Sequence, residues 1–126
     1  ELNASQVYVV GGAGGDRDMG KRPEMGRIAY NMCDRLYLTS DNPRSEDPQT
    51  IIDQMLEGIP QVERDQVYTN VSRRQAITDA CAAAQRGDLV VIAGKGHETY
   101  QEIKGIKHHF DDKEVAQEIF AKEKLA

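Results

Sequence analysis

Three short apolar runs, at residues 6–10, 34–38 and 89–93, each break off into a loop dense in glycine, proline or charge. They read Gln6-Val7-Tyr8-Val9-Val10, Asp34-Arg35-Leu36-Tyr37-Leu38 and Leu89-Val90-Val91-Ile92-Ala93. Runs of this length, rich in β-branched and aromatic side chains, predict buried strands. The third is apolar on both faces, which predicts a central strand of a parallel sheet. Between the runs the periodicity turns helical. Met25, Ile28, Ala29 and Met32 predict the apolar face of a helix over 24–32, with Pro23 placed at its start. Ile51, Ile52, Met55 and Leu56 predict a second helix over 49–57, closed by Gly58. A further strand is expected at 66–70. The clearest helix is expected at 72–86, with Ser72 as cap, an alanine-rich face and Gly87 as stop.

The end of the chain changes character. Segments 99–103 and 106–110, joined around Lys104-Gly105, predict a β-hairpin, and Asp111 or Asp112 caps a last helix over 113–122. Alternating strand and helix followed by a late hairpin implies an α/β domain: a mainly parallel sheet with an antiparallel C-terminal hairpin at its edge.

Composition narrows the function. At 126 residues the chain fits one domain over 1–126, without repeats or a linker. A net charge of -5 with no basic block argues against a nucleic-acid partner. No apolar run approaches the roughly 20 residues that span a bilayer, and no signal-peptide pattern opens the sequence. Cys33 and Cys81 lack metal-type spacing and are expected as core thiols, in keeping with a reducing cytoplasm.

If the strands are parallel, three charged loops open on the same edge of the sheet, where ligands bind in such folds. The loop after 34–38 runs Thr39-Ser40-Asp41-Asn42-Pro43-Arg44-Ser45-Glu46-Asp47-Pro48. Pro43 stiffens it and pushes Asn42 towards extended backbone. Arg44 offers a planar fork of donors for a carboxylate, while Asp41 and Asn42 can receive an ammonium or cap a backbone. The plain reading of the same residues is a helix-entry turn.

The first loop, Gly15-Asp16-Arg17-Asp18-Met19-Gly20-Lys21-Arg22, fits the G-x-x-x-x-G-K half of a P-loop. Arg22 stands where Ser or Thr would hold magnesium, and Asp16 and Asp18 would repel a triphosphate. A turn presenting Arg17 and Lys21 to an anion fits better, against a solvated charged loop as the plain alternative. In the third loop, Gly94-Lys95-Gly96-His97-Glu98, glycine N–H groups can hold a carboxylate and Glu98 an ammonium. His97 has no nearby Ser or Cys to activate, so a supporting role is expected over general-base catalysis. His108 and His109 alternate on an edge strand, and no metal site is expected from them.

These loops carry a resemblance. Val9-Val10-Gly11-Gly12-Ala13-Gly14-Gly15-Asp16-Arg17-Asp18-Met19-Gly20-Lys21-Arg22-Pro23, the box Asp41-Asn42-Pro43-Arg44, Ala93-Gly94-Lys95-Gly96-His97-Glu98-Thr99-Tyr100-Gln101 and Phe110-Asp111-Asp112-Lys113-Glu114-Val115 together resemble the C-terminal domain of a Mur ligase. The resemblance covers nearly the whole chain. It implies a Rossmann-like, three-layer fold within a three-domain, ATP- and Mg2+-dependent enzyme of peptidoglycan synthesis, cytoplasmic, bacterial and monomeric at full length. The reaction implied phosphorylates the γ-carboxylate of the D-Glu in UDP-MurNAc-L-Ala-D-Glu. A diamino acid's amine then attacks, with magnesium balancing phosphate charge. ATP, Mg2+ and the UDP-linked substrate fall to the other domains, so no catalytic residue is assigned here and this stretch alone is expected to be inactive.

The resemblance assigns Arg17, Asn42, Arg44, Gly94 and Glu98 to meso-diaminopimelate, with Asp41 and Pro43 completing the box. Asp16, Lys21, Lys95 and His97 are left as phosphate or supporting residues. Diaminopimelate has a far-end carboxylate that lysine lacks, and Arg44 with Arg17 suits it, while Glu98 suits the ammonium. L-lysine is the alternative amino acid, and a stand-alone small-molecule-binding domain the alternative class. A small P-loop hydrolase would need Lys21 on phosphate. Against the family's pattern the domain is expected to be truncated at its N-terminal end, since the family's Tyr-Ala-His-Thr-Pro-like strand is missing.

Overall fold

A computed structural model describes residues 6–16, 19–93, 100–104 and 106–125. In chain order its main elements are β1 (Val7–Gly11), α1 (Arg22–Asn31), β2 (Arg35–Leu38), α2 (Pro48–Leu56), β3 (Tyr68–Thr69), α3 (Arg73–Ala83), β4 (Leu89–Ile92), β5 (Tyr100–Ile103), β6 (Ile106–His109) and α4 (Asp112–Leu125). A short 3-10 turn, Met19–Lys21, leads into α1. The first four strands form one sheet in the order β3-β2-β1-β4. Every pairing in it is parallel.

The pleat divides the core in two. Leu36 and Leu38 turn to one face and pack with Ile51, Ile52, Met55 and Ile59. Tyr8, Val10 and Tyr37 turn to the other and meet Ala76, Ile77 and Ala80 of α3 and Val115 of α4. Alternate residues of a strand point to opposite faces, so both faces of β1 and β2 are buried and three layers result. Cys33 packs against the first cluster and Cys81 against the second, as expected of core thiols, and the two are not joined in a disulfide.

Four sequence expectations change. The run 89–93 does form a strand, but β4 lies at the edge of the sheet, with Leu89 38% and Val91 39% exposed. Continuous apolarity marks burial of a strand's faces without specifying its place in the sheet. The hairpin β5–β6 is antiparallel as predicted, yet it pairs as a separate two-stranded sheet. Helix α3 stops at Ala83 rather than at Gly87. The next residues form a turn instead, in which Asp88 accepts from the Gln85 N–H through its side chain and donates its own N–H to the Gln85 carbonyl.

The fourth difference is the face that α1 buries. Met25, Ile28 and Met32 are 42%, 45% and 70% exposed, and the buried positions are Arg22 and Gly26. A Cβ placed on Gly26 would stand 2.0 Å from the Met55 carbonyl oxygen, and one on Gly58 1.7 Å from that of Pro23. The two helices therefore touch backbone to backbone at reciprocal glycines, and this contact orients α1 against its apolar stripe. Gly58 serves that contact and not a left-handed cap, since among the described residues Gly87 is the glycine with a positive φ. Helix caps follow the sequence more closely: Asp47 accepts from Gln49 N–H, Ser72 from Gln75 N–H, and Asp111 from Lys113 N–H.

Candidate functional site

Parallel pairing puts Gly11 beside Leu38, so the loops after β1 and β2 leave the sheet side by side. Val10 pairs with Ile92, and Ala93 donates its N–H to the Val10 carbonyl, which brings the end of β4 to the same edge. The expected convergence therefore holds for the described parts of the first two loops, and the strand that leads into the third ends at the same edge. Arg17, Gly94, Lys95, His97 and Glu98 lie outside the described residues.

The first two loops are stitched together by backbone. Thr39 N–H donates to the Gly11 carbonyl at 3.0 Å, and Gly15 N–H to that of Asn42 at 2.7 Å. Only a residue without a side chain fits at position 15, where a Cβ would meet the Pro43 carbonyl oxygen at 1.9 Å. Asn42 is buried at 2% exposure and Pro43 is buried beside it, so the rigid Asn-Pro step is the floor of the site. Arg44 is half-buried, and its Nη1 donates to the Gly15 carbonyl at 2.9 Å. Five of the proposed residues, Asp16, Asp41, Asn42, Pro43 and Arg44, thus occupy these two joined loops. Lys21 ends the exposed 3-10 turn next to them.

Backbone strain gathers here. Asp16, Arg44 and Lys104 are the non-glycine residues with positive φ among the described residues, at 55°, 52° and 51°. Arg44 pairs with Ile103 in an isolated bridge, and its carbonyl accepts the Lys104 N–H at 2.5 Å. The hairpin turn holds Arg44 in a conformation that costs about 1–3 kcal/mol and persists where surroundings impose it, often at ligand sites. From the same hairpin, Gln101, 8% exposed, donates through Nε2 to Ser40 Oγ at 2.5 Å and to the Asp41 carbonyl at 2.8 Å.

A second tie was not foreseen from sequence. Arg22, 1% exposed, grips Glu46 with both terminal nitrogens, at 2.9 Å from Oε1 and 2.7 Å from Oε2. It also donates to the Gly14 carbonyl at 2.9 Å and to Gln54 Oε1 at 2.7 Å. Glu46 accepts the Asp16 N–H as well, and the Ser45 hydroxyl bonds to Asp16. The Arg22 guanidinium holds the Glu46 carboxyl far below the usual range, at about 2, and the carboxylate raises Arg22 in return. The missed signal was an arginine immediately before the α1 proline, read only as a departure from the P-loop pattern and not as a buried partner for Glu46.

The same facts test the nucleotide alternative. The position a P-loop gives to a magnesium-binding Ser or Thr is here a buried arginine, and the Gly15 and Asp16 N–H groups are already engaged by Asn42 and Glu46. Among the described residues no group of three His, Cys, Asp or Glu side chains is arranged to hold a metal ion. The described loop does not fit nucleotide or magnesium.

A Rossmann-like sheet whose loop edge carries the Asp41-Asn42-Pro43-Arg44 box defines a class, and comparison with known proteins agrees. The family described as Mur ligase, glutamate ligase domain, matches residues 1–96, and the chain belongs to the Mur ligases, as their C-terminal domain. Relatives of Bacteroides fragilis and Phocaeicola vulgatus, both named UDP-N-acetylmuramoyl-L-alanyl-D-glutamate–2,6-diaminopimelate ligase, are 53% and 55% identical over 92% and 93% of this chain. One of the same name from Clostridioides difficile is 50% identical over 93% of it. A solved structure described by that name superposes with a TM-score of 0.89 over 96% of the chain at 45% identity. The chain spans 24% of the length of each of these relatives and 25% of the solved one.

Proposed function

We propose that this domain selects meso-2,6-diaminopimelate for a longer, ATP-dependent ligase that joins it to UDP-MurNAc-L-Ala-D-Glu in peptidoglycan synthesis. The observation that carries the reading is Arg44, presented from a strained backbone between two loops at the ligand edge of the sheet. A guanidinium fits a carboxylate in a bidentate way, and the far end of diaminopimelate supplies the carboxylate that lysine lacks. In this reading Arg17 shares that charge, Asn42 and the Gly94 backbone orient the amino-acid end, and Glu98 receives the ammonium. Asp41 and Pro43 shape the box, with Asp16, Lys21, Lys95 and His97 in support. The names of the relatives favour diaminopimelate over lysine.

ATP and Mg2+ supply the acyl-phosphate activation of the substrate carboxylate when bound. Since the loop here fits neither, they and the UDP-linked substrate are held elsewhere in the full-length protein. The residues of this domain hold and orient the nucleophilic amino acid, which converts a bimolecular attack into a positioned one. In this reading the full-length enzyme draws on nucleotide substrates of the bacterial cytoplasm and acts as a monomer; no described helix is long and apolar enough to cross a membrane.

Calorimetric titration of the full-length enzyme, with ADP and the UDP-linked dipeptide present, tests this. Binding of diaminopimelate with lysine ignored is expected. A preference for lysine overturns the specificity assignment, and silence towards both overturns the amino-acid site.

A further inference from the structure

Arg73 is the first residue of α3, the end of a helix whose dipole disfavours a cation. Its side chain is nevertheless withdrawn from solvent. Nothing in the helical periodicity asks for an arginine there, so its reason lies in what it touches. Nε donates to Asp112 Oδ1 at 2.8 Å and Nη2 to Asp112 Oδ2 at 2.7 Å. Nη1 donates to the Ser40 carbonyl at 3.1 Å, and Nη2 also to that of Ala93 at 3.0 Å. Ser40 immediately precedes the Asp41–Arg44 box after β2, and Ala93 immediately precedes Gly94 after β4. In the sheet β1 lies between these two strands. One guanidinium therefore reaches across the end of β1 and ties the loop after β2 to the end of β4, two strands that are not paired. Its planar fork fixes the separation of the carbonyls it binds, and Asp112 fixes the fork.

We propose that Arg73 is a positioning residue for the incoming diamino acid: it sets the distance between the loop carrying Asn42 and Arg44 and the end of β4 at Ala93, the residue before Gly94. This rests on the amino-acid site proposed above. A substrate charged at both ends and gripped from two loops is sensitive to their spacing, and a displacement of about 1 Å can cost about 100-fold. Arg73 acts through Ser40 and Ala93 and needs no contact with substrate.

The test is steady-state kinetics of the full-length enzyme, varying amino acid, ATP and UDP-linked dipeptide in turn. Two variants are compared, Arg73→Lys and the pair Arg73→Met with Asp112→Leu. The pair exchanges the ion pair for apolar volume, a replacement that commonly preserves a fold. Both are expected to raise KM for the amino acid about 10–100-fold while KM for ATP stays within about twofold. An unchanged amino-acid KM in a folded variant, or an equal rise in KM for ATP, overturns the proposal. Should the apolar pair fail to fold, Arg73→Lys decides, since it keeps the charge and loses the fork. If the parent enzyme uses lysine and refuses diaminopimelate, the substrate assignment fails, and Arg73 is judged on KM for lysine.

Discussion

The Lys104 N–H donates to the Arg44 carbonyl at 2.5 Å, and both residues carry left-handed φ angles, 51° and 52°. The turn of the C-terminal hairpin thus imposes the backbone shape of the residue assigned to substrate. Glycine adopts that shape freely and alanine does not. Arg44→Gly should therefore be more stable than Arg44→Ala by about 1 kcal/mol in chemical denaturation. Both variants should lose about 1.5–3 kcal/mol of diaminopimelate affinity by calorimetry on the full-length enzyme. Equal stability of the two would show that the strain at Arg44 is not felt.

Glu46 ties the site to acid. Its carboxyl titrates at about 2 in the folded protein against 4.5 ordinarily, because Arg22 holds its charged form. A depressed carboxyl stabilises the fold above its unfolded value and loses that contribution as pH falls through the folded value. Stability should accordingly decline between pH 4.5 and about 2, and Glu46→Gln should flatten that part of the profile. At neutral pH the same variant should cost about 1–3 kcal/mol, since it leaves the Arg22 cation buried without its counter-charge. Urea denaturation at stepped pH measures both; an unchanged slope in the variant would assign the acid sensitivity to other carboxyls.

Gly26 separates propensity from packing. Alanine is the better helix former by about 1 kcal/mol, so local reasoning predicts that Gly26→Ala stabilises α1. With the Met55 carbonyl oxygen 2.0 Å from the new Cβ, the helices must part instead. We expect a net loss of about 1–3 kcal/mol, read as a lower denaturation midpoint.

The exposed stripe of the same helix gives the opposite expectation. Met32, 70% exposed, should accept Lys with a change within about 0.5 kcal/mol. A large loss at Met32→Lys would mean that the apolar stripe, and not the glycine contact, orients α1.

The sequence by itself determined the order of elements, the parallel sheet, the hairpin and the Asp41–Arg44 loop at a strand end. Each depends on short-range signals: apolar runs of strand length, Ser72, Asp47 and Asp111 as caps, and proline at helix starts. Tertiary structure decided what depends on approach between distant segments. It placed β4 at an edge and turned α1 onto Gly26. It also brought Arg22 to Glu46 and Arg73 to Asp112, partners 24 and 39 residues apart. A buried arginine and a solvated one are the same letter in a charged loop; only the carboxylate and carbonyls that close around it after folding distinguish them.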